Sequence, residues 1–65
     1  MNMQDCVGKT FWHEGNNSDI EEGCYRAKFY DDEISMFRVE KKYEHTGEWK
    51  DNGWFWSDSV TSRVN

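Results

Sequence analysis

Apolar and polar residues alternate along much of this chain with a period of two, the spacing of a strand buried on one face. In Cys24-Tyr25-Arg26-Ala27-Lys28-Phe29-Tyr30, the apolar Tyr25, Ala27 and Phe29 fall on one side and Arg26 and Lys28 on the other. Ile34 to Glu44 is the longest strand candidate. A three-residue turn at Asp31-Asp32-Glu33 sets Ala27 against Phe37 and Tyr25 against Val39. That register puts the apolar residues of both strands on one side, whereas a one-residue slip would bring Arg38 there. Thr10-Phe11-Trp12-His13 reads as a short first strand, and His45-Thr46-Gly47-Glu48 turns the chain again. A helical reading of residues 34–45 lacks a second apolar position per turn.

The strongest local signal is Glu48-Trp49-Lys50-Asp51-Asn52-Gly53-Trp54-Phe55-Trp56-Ser57. Asn-Gly tolerates the positive φ angles of a type I′ turn, so the stretch reads as a tight hairpin. Asp51 then opposes Trp54, Lys50 opposes Phe55 and Trp49 opposes Trp56. Trp49, Trp54 and Trp56 share one face with Asp51. Gly15-Asn16-Asn17-Ser18-Asp19 is turn chemistry, with Ser18 or Asp19 placed to cap a helical turn through Glu22. Residues 1–8 read as a frayed lead-in. From Ser57 on, the tail is polar, its first half extending a strand and residues 61–65 loose.

Sixty-five residues allow one domain, taken as 1–65. So short a chain buries only ~60% of its unfolded surface. There is no Leu, and aromatics make up 17% of the chain. This composition suits a small antiparallel sheet of four to five strands, an SH3-like barrel or a curled meander, and does not suit a helical bundle. The net charge of −5 disfavours direct nucleic-acid binding, which needs clustered Lys and Arg. It suits a protein partner with a basic surface. No basic leader is followed by an apolar run, and no stretch is long and apolar enough to span a membrane. Cytoplasmic residence with reduced Cys6 and Cys24 is the expectation. Oligomeric state is not readable from the sequence.

Candidate chemistry is sparse. Gly8-Lys9-Thr10 matches the end of a phosphate-binding loop, but the required earlier glycine would stand at Met3. Cys6, His13, Cys24 and His45 lack the paired spacing of a zinc site, so neither metal nor cofactor is expected. The reading is Cys24 buried at the head of a strand, with the histidines exposed in loops. The serines have no nucleophile context, and no enzymatic activity is expected. The tryptophans form either the core or an exposed patch with a polar rim, the anatomy of a protein contact. In the patch reading the partner-binding residues are Trp49, Asp51, Trp54 and Trp56, with Asp31, Asp32 and Glu33 as a second acidic cluster. An alternative places a cation in an aromatic cage of Trp49, Trp54 and Trp56. Another makes the chain an accessory subunit whose tryptophans are covered in a larger assembly.

Two resemblances bear on this. Gly23-Cys24-Tyr25-Arg26-Ala27-Lys28-Phe29 resembles the G-x-[WY]-[YR]-R-A-x-[VF] strand of Tudor-type barrels, which implies an SH3-like barrel. The later aromatic-Asp-Tyr-Gly portion of that family is missing here. In size and charge the chain is similar to the compact inhibitors that bacteriophages deploy against host nucleic-acid machinery, among them anti-CRISPR and anti-restriction proteins. That likeness implies a non-enzymatic protein that engages a basic, nucleic-acid-handling partner.

Overall fold

A computed structural model of the chain describes residues 2–16 and 19–64. Four strands follow in order: β1 (Thr10–His13), β2 (Gly23–Asp31), β3 (Met36–Tyr43) and β4 (Glu48–Trp56). They form one antiparallel meander in the order β1-β2-β3-β4, which does not close into a barrel. A 3-10 helix at Met3–Cys6 precedes β1, and a short helix α1 (Ser57–Thr61) follows β4.

One face of the sheet is covered. Phe11, Tyr25, Ala27, Phe37, Val39 and Phe55 point into it, together with Cys6, Val60 and Val64 from the flanking segments. The rings interlock: Tyr25 and Phe55 lie 4.9 Å apart, Phe11 stacks on Tyr25 at 5.9 Å, and Tyr30 meets Phe37 at 4.8 Å. Each such side chain contributes about 1.5–3 kcal/mol by leaving water, so rings supply what a leucine-free chain lacks.

Two β-bulges decide which rings enter this core. Trp54 pairs with Arg38, and Asp51 pairs with Glu40. Asn52 and Gly53 therefore oppose Val39 alone. Gly53 holds φ +88°, an angle that favours glycine and that the bulge requires here. The expected Asn-Gly hairpin is thus absent, and 48–56 is one continuous strand pairing with β3. The positive φ read from Asn-Gly is present, but it serves the bulge. The second bulge lies in β2, where Ala27 pairs with Val39 while Phe29 pairs with Arg38. The extra residue turns Phe29 away from Tyr25 and Ala27, contrary to the simple alternation, and brings Tyr30 to the core side.

The β2–β3 turn is Asp32–Ser35, with Asp31 opposite Met36, rather than the three residues Asp31–Glu33. Ser35 takes φ +57°. Ala27 accordingly faces Val39 and Tyr25 faces Lys41, a shift of two residues that preserves which face is apolar.

The segments that flank the sheet, residues 2–8 and 57–64, are tied to it. Asn2 caps the 3-10 helix by accepting the Gln4 N–H, and the Gly8 N–H donates to Ala27 at 2.8 Å. At the other end Val60 and Val64 are buried, and the Val64 N–H donates to Val60. The expected strand continuation after Ser57 is therefore a helical turn. Ser18, one of the two expected caps, lies outside the described residues. Asp19 does not open a helix; its N–H donates to the side-chain oxygen of Asn16, as does that of Ile20.

Candidate functional site

The other face of the sheet is open, and the tryptophans stand there or at its rim. Trp12, Trp54 and Trp56 are 53%, 37% and 64% exposed and Phe29 is 48% exposed, which rules them out as core. Trp49 is half-buried. Strand pairing fixes their order. Trp12 opposes Cys24 and Lys42 opposes Trp49 toward one end of the sheet. Phe29, Arg38 and Trp54 form a row across three strands, and Asp31, Met36 and Trp56 form the next. Trp49, Asp51, Trp54 and Trp56 do share a face, because the bulge switches strand parity between Asp51 and Trp54 just as a two-residue turn would.

Basic side chains thread between the rings. The Arg26 guanidinium lies 4.3 Å from the Trp49 ring centroid, and Arg38 lies 5.2 Å from that of Trp54. Both are within cation–π range. Phe29 meets Trp54 edge-on at 5.7 Å. Each arginine is also held by a carboxylate. Arg26 Nε donates to Glu40 at 2.7 Å, and Arg38 makes two bonds to Asp51, the one through Nε at 2.8 Å. Lys28 Nζ lies 3.7 Å from the same carboxylate. The Arg38 bond holds Asp51 below the usual carboxylate range, and Asp51 in turn raises Arg38. Asp51 is therefore a neutralised strut beneath the rings rather than a free rim charge.

Carboxylates with no cation partner among the described residues lie at the margins. Asp32 and Glu33 are exposed in the β2–β3 turn, where Asp31 Oδ1 accepts the Glu33 N–H at 3.0 Å. Glu44 and Glu48 stand at the β3–β4 turn. The result is an aromatic plateau on which Arg26, Lys28 and Arg38 meet two carboxylates, Glu40 and Asp51, with further carboxylates beyond both ends. An aromatic cage does not form from the expected three rings. Trp49 and Trp56 sit at opposite ends of β4, and Trp49 and Trp54 already carry arginines of the chain itself. Arg26, Lys28, Phe29 and Arg38 were not among the sequence-derived site residues. The alternation around Arg26 and Lys28 signalled the open face, but Phe29 required the bulge.

The remaining candidate chemistry is structural. Cys6, and not Cys24, is the fully buried cysteine, and neither is in a disulfide among the described residues. His13 is buried, contrary to a loop position, with its ring 5.5 Å from that of Phe55. Its Nδ1 accepts the Gly15 N–H at 2.8 Å, which places the neutral ring's proton on Nε2. Burial, with the nearby Arg63 charge second, lowers its pKa; Glu14 pulls the other way and is outweighed. Arg63 holds Glu14 in a forked pair and brings its carboxyl down to about 2. Among the described residues, no group of three His, Cys, Asp or Glu side chains could hold a metal ion. No helix among them is long and apolar enough to cross a membrane. Comparison with protein families, with curated proteins and with solved structures finds no match.

Proposed function

We propose that the chain is a non-enzymatic binding protein of the small-inhibitor type, which uses the open face of its sheet to occupy a basic surface on a nucleic-acid-handling protein. The observation that carries this reading is the ring set left exposed on one face while a separate ring set fills the core. A domain this small has little apolar surface to spare. Leaving Trp12, Phe29, Trp54 and Trp56 in water has a cost that a bound partner would recover. Trp and Arg are the residues most enriched at interface anchors. Here the arginines hold two of the indoles in place, so less freedom is lost on binding.

Charge supports the choice of partner. The chain carries a net charge of −5, and Asp31, Asp32 and Glu33 stand together at one end of the sheet. Carboxylates so placed steer a basic protein toward the plateau, and the rings then supply the affinity. A single-stranded nucleic acid could also stack on exposed rings. The pairing of Arg26 and Arg38 with carboxylates, together with the acidic margins, opposes phosphate.

The test is capture by the immobilised chain, with a single-stranded oligonucleotide titrated in parallel. The expected result is a protein partner whose capture weakens as salt rises and is lost for Trp12→Thr or Trp56→Thr at unchanged melting temperature. Saturable binding of the oligonucleotide, or capture lost only in variants that also unfold, overturns the reading.

A further inference from the structure

Strand β4 is an edge of the sheet, and edges invite strand addition unless they are guarded. Its first half is guarded by Glu48, Lys50 and Asp51 and by the bulge at Asn52-Gly53. Its second half, Trp54-Phe55-Trp56, carries no charge and no proline. Beside it runs a groove of about 400 Å³ between residues 52–56 and the segment carrying Asn16, Asp19 and Ile20. The groove adjoins a second depression of about 520 Å³ that shares Asn16, Asp19 and Ile20 and adds Glu14, Glu21 and Glu22. Glu14 is taken by Arg63, whereas Glu21 and Glu22 have no cation partner among the described residues.

We infer that this edge receives an extended, basic segment of the partner protein, which adds as a fifth strand along Trp54–Trp56. This rests on the proposed binding of a basic protein and names a second contact for it. Main-chain bonds to the free edge provide the pairing, as in other strand-addition complexes. An apolar side chain of the segment enters the groove against Ile20, and a Lys or Arg reaches Glu21 and Glu22. A second copy of this chain fits the edge poorly, because it would bring a body of net −5 against the same carboxylates.

The experiment uses a capped peptide alternating Lys and Val, titrated into the isotope-labelled chain, with a Glu-Val peptide as control. The expected result is saturable shifts and slowed hydrogen exchange at the Trp54 to Trp56 amides with the Lys peptide alone. Reversing two charges in Glu21→Lys/Glu22→Lys should weaken that binding about tenfold, while Trp12→Thr, on the open face, should leave it unchanged. The inference is overturned if the Lys peptide leaves those amides unmoved, if the Glu peptide binds as well, or if sedimentation shows a dimer that buries the edge. A negative result here together with Trp12-dependent capture of a protein would remove the edge contact and keep the open-face reading.

Discussion

On the covered face of the sheet the rings are Phe11, Tyr25, Phe37 and Phe55; on the open face they are Trp12, Phe29, Trp54 and Trp56, with Trp49 at its rim. The covered rings touch one another and the Cys6, Val60 and Val64 side chains that close over them. Two of the open indoles instead touch arginines, and those arginines touch carboxylates. Aromatic content alone therefore says little about what a ring does. A small core closes around Phe and Tyr. An indole is larger and keeps an N–H that needs a partner, so it is easier to leave half in water.

The contrast is sharpest in adjacent residues. Phe55→Ala, on the covered face, should cost ~3–5 kcal/mol and leave little folded protein, since it removes a ring that touches Tyr25, Phe11 and His13. Trp56→Ala, one residue on, should stay within about 1 kcal/mol in the same denaturant titration. Comparable losses for the two would erase the distinction between the faces.

The bulge that sorts these residues offers the next test. Gly53→Val places a β-branched side chain at positive φ in open space, so strain alone is felt. The expected loss is about 2 kcal/mol, read as a lower denaturant midpoint. An unchanged midpoint would mean that β4 does not need this angle.

Acid should act on the covered side first. His13 has a folded pKa below its unfolded value, so the unfolded chain binds the extra proton. Stability should then fall as pH drops below about 6.5, and His13→Gln should flatten that limb. Glu14, at about 2 against an ordinary 4.5, adds a further loss as pH falls from 4.5 toward 2. Melting curves across this range check both. The smallest effect should be Arg38→Gln. It removes both the Asp51 pair and the cation over Trp54 from an exposed site. A change in the Trp54 indole signal with little change in melting is the expected outcome.

The fold class was legible because alternation and turn chemistry act locally. The face shared by Trp49, Asp51, Trp54 and Trp56 was legible too, since a tight turn and a bulge at Asn52-Gly53 both reverse strand parity. Which of the two forms depends on whether 54–56 pairs with 49–51 or with β3, and no nearby residue decides that. Phe29 was misassigned for the same reason: the bulge at Lys28 answers to the fit of β2 against Val39 and Arg38. The buried tail had a signal in Val60 and Val64, spaced four apart after Ser57-Asp58-Ser59, which is a one-turn helix pattern. Burial of His13 had only the alternation of Phe11 and His13 to announce it. The pairing of Asp51 with Arg38 is a cross-strand contact set by the register beyond the bulge, and only the fold reveals it.

The open-face rings are not what holds the fold together. Replacing Trp12, Phe29 and Trp56 by Thr in one chain tests it without any partner. The expected result is a cooperative thermal transition within about 15 °C of the native chain, a combined loss of ~1–2 kcal/mol. A triple variant that is unfolded at room temperature would contradict it.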